Sequence, residues 1–308
     1  MKHFLAGIPL PMAGLALAVC SLGNLFKLWG NPLIGNGLAI IGGVMVFILV
    51  LKLLIHPGHV RSDFNNPLIV AVTPTFTMAI MILATYIEPL AGWHLVAQIL
   101  WLVAVVLHIG LMTYFTARFV FPWHIGKIYP SWFVMYVGIG VIPVTSLNFY
   151  PTLGKTFLWI ALALYVIVLP IVFKRVYWHK KMPEATLPLI GIIAAPASLC
   201  LAGCITIYGG EIRWLAIALL CLAQALYVFV LLQIPRVLRL SFYPSYAALT
   251  FPMVISATAL TLSAKQLPQL QFLHVAGIIE TVIACAMVLY VIIHYIVFLN
   301  THMMKREA

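Results

Sequence analysis

The apolar positions fall into ten long runs separated by short polar breaks, at about 4–26, 33–55, 67–87, 92–114, 131–149, 152–173, 188–208, 212–233, 244–263 and 270–297. A transmembrane helix needs about 20 consecutive apolar residues, so each run predicts one membrane-spanning helix. The breaks carry turn formers: Trp29-Gly30-Asn31-Pro32, His56-Pro57-Gly58, Asn65-Asn66-Pro67, Glu88-Pro89, Tyr208-Gly209-Gly210 and Tyr243-Pro244. An outer-membrane barrel would show strands of about ten residues with alternating polarity, and these continuous runs exclude it. The pattern predicts an all-α polytopic membrane protein, with residues 1–308 forming a single transmembrane domain.

The odd and even runs differ. Each odd run carries a proline well inside it: Pro11 (preceded by Pro9), Pro74, Pro143, Pro196 and Pro252. The even runs have proline only near their ends, as at Pro170 and Pro235. Successive odd prolines lie 63, 69, 53 and 56 residues apart, which reads as five divergent helical hairpins. Proline removes a backbone hydrogen bond and kinks a helix, and a kink in the bilayer is tolerated where it is buried in protein or lines a cavity. Serine and threonine follow the same division, with sixteen in the odd runs and four in the even ones. This predicts five pseudo-symmetric hairpins: an inner ring of odd helices around a central pore and an outer ring of even helices facing lipid. The kinks of the pore are then Pro11, Pro74, Pro143, Pro196 and Pro252. Its lining candidates are Gly14, Thr73, Thr77, Ile142, Ser146, Ser198 and Ser256.

Composition narrows the class. Of 308 residues, 64% are hydrophobic and only 7% charged, against roughly 25% charged in soluble domains. Ten spans of about 21 residues leave only about nine per connection, too few for a soluble catalytic, nucleotide-binding or nucleic-acid domain. The first run is long enough to span and lacks the plan of a cleaved signal peptide. The net charge of +11 matters through its placement. With ten spans, one side holds Lys2, Lys52, Arg61, Arg118, Lys127, Lys174, Arg175, Lys180, Lys181, Arg236, Arg239, Lys305 and Arg306, and the other only Lys27, Lys155, Arg213 and Lys265. By the positive-inside rule both termini are predicted to be cytoplasmic. The basic cluster Lys174-Arg175 to Lys180-Lys181 suits a topology determinant beside anionic lipid.

Chemistry is sparse. No Asp, Glu, Lys, Arg or His lies within the interior of an odd run, whereas pumps and cation carriers place ionisable groups at membrane depth. An uncharged path binds ions weakly and suits conduction, and the basic mouth favours anions. The cysteines Cys20, Cys200, Cys204, Cys221 and Cys285 all lie inside apolar runs, so neither a disulfide framework nor a metal site is expected. Phe251 is the only aromatic residue directly before an interior proline, where the others are Leu10, Thr73, Ile142 and Ala195. It reads either as a core side chain or as a ring filling the pore at its kink. Glu280, the only carboxylate within a run, lies in an even helix. A structural role or subunit contact competes there with a proton site. His108 and His294 would have to face one another to hold haem. Both belong to even helices, where packing is the simpler reading.

The segments Pro9-Leu10-Pro11-Met12-Ala13-Gly14-Leu15 and Leu249-Thr250-Phe251-Pro252-Met253, with the five proline-kinked hairpins, resemble the tellurite-resistance and dicarboxylate transporter family, to which the plant guard-cell slow anion channel is related. The resemblance covers essentially the whole chain. It implies a homotrimer in the bacterial cytoplasmic (inner) membrane and selectivity for small monovalent anions such as chloride and nitrate. It also implies a pore occluded by the phenylalanine matching Phe251, and an association with tellurite resistance that extends to tellurite as a candidate ion. With no room for a soluble domain, no enzymatic activity, cofactor, metal or nucleic-acid partner is expected, and membrane lipid surrounds the chain. Members that carry malate with protons or export sulfite leave an alternative: a proton-coupled dicarboxylate or oxyanion transporter using Glu280.

Overall fold

The computed structural model describes residues 2–121, 125–179 and 182–307, so Lys180 and Lys181 lie outside the described residues. Among these residues every regular element is a helix. Eight helices are long and apolar enough to cross a membrane: α2 Pro32–Ile55, α3 Pro67–Ile87, α4 His94–Val120, α6 Pro151–Trp178, α7 Glu184–Tyr208, α8 Arg213–Val237, α9 Pro244–Gln266 and α10 Gln271–Thr301. Two shorter apolar helices, α1 Met12–Leu28 and α5 Trp132–Thr145, occupy the remaining odd positions.

The odd helices are discontinuous, and the sequence explains where. The first run is not one helix over 4–26: a short helix Lys2–Gly7 ends before Pro9, and α1 starts after Pro11. Helix α3 breaks at Thr73 and restarts at Pro74. Helix α5 passes through the tighter turn Gly138–Gly140 before its last piece, Val141–Thr145. Helices α7 and α9 open as 3-10 helix, Glu184–Ala194 and Pro244–Leu249, and become α-helical at Ala195 and Thr250. At each of the five breaks the proline therefore stands at the N-cap or in the first three positions of a fresh α-helical piece. There its missing N–H has no intrahelical partner to lose. The even helices run unbroken through their cores, and α4 and α6 end in wide π turns at Thr116–Val120 and Lys174–Trp178. The break at His56-Pro57-Gly58 is not a simple loop, since Pro57–Asp63 forms a further short helix.

Packing arranges these helices in two layers. Helix α1 lies between α3 and α9, α9 packs on α7, α7 on α5, and α5 on α3, which closes a five-membered ring. Each even helix packs outside its hairpin partner. In the most apolar stretch of α3, α7 and α9, 61%, 83% and 78% of residues are buried, against 28% in each of α2, α4, α6, α8 and α10. The α1–α2 contact is the tightest, because small residues let the backbones approach: a methyl on Gly35 would sit 2.7 Å from the Gly23 carbonyl oxygen. One end of the bundle gathers Ile8, Lys52, Asp63, Pro244 and Tyr295. The opposite end gathers Leu28, Trp29, Lys265 and Thr281.

Candidate functional site: an apolar half-channel

A cavity of about 440 Å³ opens inside the ring, and all five odd helices contribute to its wall. Its mouth lies at the end that holds Lys52 and Asp63. The wall residue furthest along each inner helix is Gly14 on α1, Met78 on α3, Gly138 on α5, Leu199 on α7 and Pro252 on α9. Phe251, 7% exposed, belongs to the wall at this inner level. Further along the same helices Leu17, Met81, Ile142, Leu201 and Ile255 are buried, and none of them lines the cavity. The space is thus a half-channel that stops midway along the inner helices.

The structure brings together Pro11, Gly14, Pro196, Phe251 and Pro252 on the cavity wall. The remaining sequence candidates, Thr73, Pro74, Thr77, Ile142, Pro143, Ser146, Ser198 and Ser256, do not line this cavity. Their hydroxyls turn elsewhere. Thr73 Oγ1 donates to the Ile69 carbonyl at 2.9 Å, and Ser198 Oγ to that of Ala194 at 3.0 Å. Thr77 Oγ1 lies 2.8 Å from the Pro74 carbonyl oxygen and 2.9 Å from His108 Nδ1 on α4. Ser146 faces Gly154 of α6, whose missing side chain leaves it room. The neighbouring Thr145 accepts from Trp101 Nε1 of α4 at 2.8 Å. A hydroxyl in an apolar interior gains more from a nearby carbonyl or ring nitrogen than from an empty wall. The hydroxyls of α3 and α5 thereby bind the inner ring to the outer one, and the cavity wall is apolar.

Polar groups concentrate at the mouth. Lys52, 3% exposed, reaches in from α2, donates to the Ile8 carbonyl and stands 3.7 Å from Asp63. Sequence reasoning counted Lys52 only as a topology charge. Its position one turn before the end of α2 was the available signal, since a long side chain there can run along apolar surface toward a polar mouth. Asn66 caps Leu68 N–H at 3.0 Å, and Ser245 Oγ donates to the Ala185 carbonyl. Tyr243 donates to Glu184 Oε1 at 3.1 Å, and this bond holds the phenol above its ordinary range.

The restarted helices add an electrostatic feature. The first turns of four of them, near Gly14, Thr75, Ala195 and Phe251, border the cavity, whereas the restart of α5 at Val141 lies beyond its last wall residue, Gly138. An α-helix carries partial positive charge at its N-terminus, so four such ends converge on one apolar space. Carbonyls around the breaks are partly occupied: Thr75, Ser198 and Thr250 donate to those of Val72, Ala194 and Ala247 at 2.7, 3.0 and 2.7 Å.

The other singled-out residues lie off the cavity. Glu280, 4% exposed, sits on the inward face of α10 against α8 and α9. His108 is fully buried between α3 and α5, and His294 Nδ1 bonds the Tyr290 carbonyl at 2.9 Å. The hairpins that carry the two histidines are separated by the α1–α2 hairpin, so they do not face one another.

Residues 7–296 match the family model described as SLAC1, voltage-dependent anion channel. Among curated proteins, the tellurite resistance protein TehA homolog of Haemophilus influenzae is 26% identical over 225 residues, covering 68% of this chain. The match spans 65% of that relative's length, slightly less than two thirds.

Proposed function

This chain belongs to the SLAC1 family of anion channels, and from that premise we propose that it is a passive channel for small monovalent anions of the bacterial cytoplasmic membrane, closed by Phe251. The observation that carries this reading is the convergence of four helix N-termini on a cavity that all five inner helices build and whose wall is apolar beyond the mouth. Positive helix ends favour an anion over a cation, while an apolar wall gives the ion no tight site in which to stay. Lys52 pairs with Asp63 at the mouth, on the side we assign to the cytoplasm together with both termini, so the anion preference rests on the helix ends. Phe251 stands at the inner level of the cavity, where its ring offers a hydrated ion no polar partner. The printed name of the Haemophilus influenzae relative supports an association with tellurite resistance, and we extend the family resemblance to a homotrimer.

Because an uncharged wall replaces a hydration shell poorly, desolvation sets selectivity. Its cost rises steeply with ionic charge. Nitrate and iodide should therefore permeate ahead of chloride, and malate or sulfate hardly at all. Voltage clamp of the Phe251→Ala protein under chloride, nitrate and malate gradients tests this through reversal potentials. A larger permeability for malate than for nitrate, or uptake only with a proton gradient, would replace the channel by a carrier.

A further inference from the structure

About one turn along α9 from the cavity-lining Pro252, three helices bring polar groups together inside the membrane. Helix α10 supplies Glu280, α9 supplies Ser256, and α8 supplies Gln224 and Tyr227 one turn apart. Ser256 and Gln224 are turned toward the Glu280 carboxyl, with the Tyr227 phenol near its charge. Glu280, Ser256 and Tyr227 are 4%, 0% and 2% exposed. Nevertheless Glu280 Oε2, Ser256 Oγ and Tyr227 Oη are all left without a hydrogen-bond partner. Buried polar atoms are nearly always paired, so these three should pair with one another in a pattern set by the protonation of the carboxyl.

Ser256 is the exception on its own helix. Thr250, Thr258, Thr261 and Ser263 each donate to a carbonyl three or four residues earlier, at 2.7 to 2.8 Å. The Ser256 hydrogen is not committed in this way. Nor, among the described residues, does a cation pair with the carboxylate. Lys27 of α1 lies over the Tyr86 ring at 4.0 Å, and Lys265 of α9 donates to the Leu28 carbonyl. Arg213 and Arg236 stand at the two ends of α8, while His274 packs on Trp29 and His294 bonds Tyr290. On the remaining faces, Cys20 of α1 points at Gly42 of α2, Cys221 is exposed, and Cys285 follows Glu280 by more than one turn. An uncompensated carboxylate in this setting is costly. A single proton removes the charge and turns one carboxyl oxygen into a donor, which pairs the carboxyl with both hydroxyls.

We propose that Glu280, Ser256 and Tyr227 form a proton-binding site that couples pH to the position of α9, and hence to Phe251 five residues earlier. This coupling rests on the reading of Phe251 as the closure of an anion channel. With Glu280 ionised, both hydroxyls donate to it and draw α8, α9 and α10 together. When the proton binds, the carboxyl still pairs with both hydroxyls, but the bonds are no longer charge-assisted, so the clamp weakens and α9 can shift. Acidification should therefore raise the native current several-fold, whereas Glu280→Gln should be independent of pH and fixed near the acid level. Ser256→Ala, which spares the carboxyl, should keep the titration but weaken the current response.

Infrared difference spectra of the full-length protein between acidic and alkaline buffer provide a readout that needs no current. A carboxylic-acid carbonyl band should be present in the native protein and in Phe251→Ala, and absent in Glu280→Gln. Persistence of the band in Glu280→Gln, or an unchanged pH response of its current, overturns the proposal. A band that responds to sodium against choline at constant pH would assign the site to a metal cation instead, also overturning it. If Phe251→Ala conducts nothing while the Glu280 band titrates, the channel reading fails and the proton site stands.

Discussion

Helices α7 and α8 are neighbours in one hairpin, and both are apolar enough to span a membrane, yet 83% of the first and 28% of the second is buried in the respective core stretch. In water such a difference would be written as polarity, with the exposed helix carrying the charges. In a bilayer the exposed face is apolar too, and what separates the helices is where they can afford irregular backbone. Helix α7 opens as an 11-residue 3-10 segment before Pro196, whereas α8 runs as one α-helix from Arg213 to Leu231. Lipid offers no partner for a loosened backbone group, so irregularity collects where protein or a cavity surrounds it. The inner ring is the malleable layer and the outer ring the rigid one.

The sharpest test of this contrast is at Phe251. Phe251→Ala should raise anion current about a hundredfold, the change expected when about 2.7 kcal/mol leaves a barrier, and Phe251→Leu should fall between. Phe76→Ala, an inner-ring phenylalanine off the cavity wall, should leave the current near the native level. Equal currents in the two variants would dissolve the distinction between wall and filler.

A second contrast lies between the layers. A methyl added at Gly42 of α2 would collide with Cys20 Sγ of α1. Gly42→Val should cost about 2 kcal/mol of stability, the scale of overpacking a filled interior, read as a lower unfolding midpoint in detergent. A midpoint unchanged by that substitution would mean that the α1–α2 contact is looser than described.

The hydroxyl ties come next. Thr77→Val leaves buried His108 Nδ1 without its partner at 2.9 Å, and should cost about 1 kcal/mol with selectivity unchanged. Altered reversal potentials with intact stability would return Thr77 to the conduction path. The smallest effect belongs to the lipid face. Nothing lies within 4 Å of a methyl at Gly37 of α2, so Gly37→Ala should be neutral or stabilising by up to about 1 kcal/mol. A clear loss would place a subunit contact there.

Much of this architecture was readable in the residues. Ten spans, five hairpins and the inner place of the odd helices followed from run length and from Pro11, Pro74, Pro143, Pro196 and Pro252. The hydroxyl residues named for the lining lie on the inner helices, but none of them borders this cavity. Thr77 and Ser146 point outward to α4 and α6, because composition assigns a helix to a layer but says nothing about which way one side chain turns. The inner helices are buried nearly all round, so no polar face betrays their orientation. Lys52 was missed for a related reason: its charge was counted, but not the reach of its side chain over the end of α2.

Chain chemistry by itself fixed the span count, the charge asymmetry between the two ends and the points at which the inner helices break, since a proline acts on the backbone wherever it stands. Only the tertiary structure decided what those breaks enclose. Closing α1, α3, α5, α7 and α9 into a ring brings four of the five restarts together as helix ends around one apolar cavity. It also sets Glu280 of α10 against Ser256 and Tyr227, residues 24 and 53 positions away along the chain. Neither juxtaposition is a local property, because each depends on the rotation of helices packed side by side.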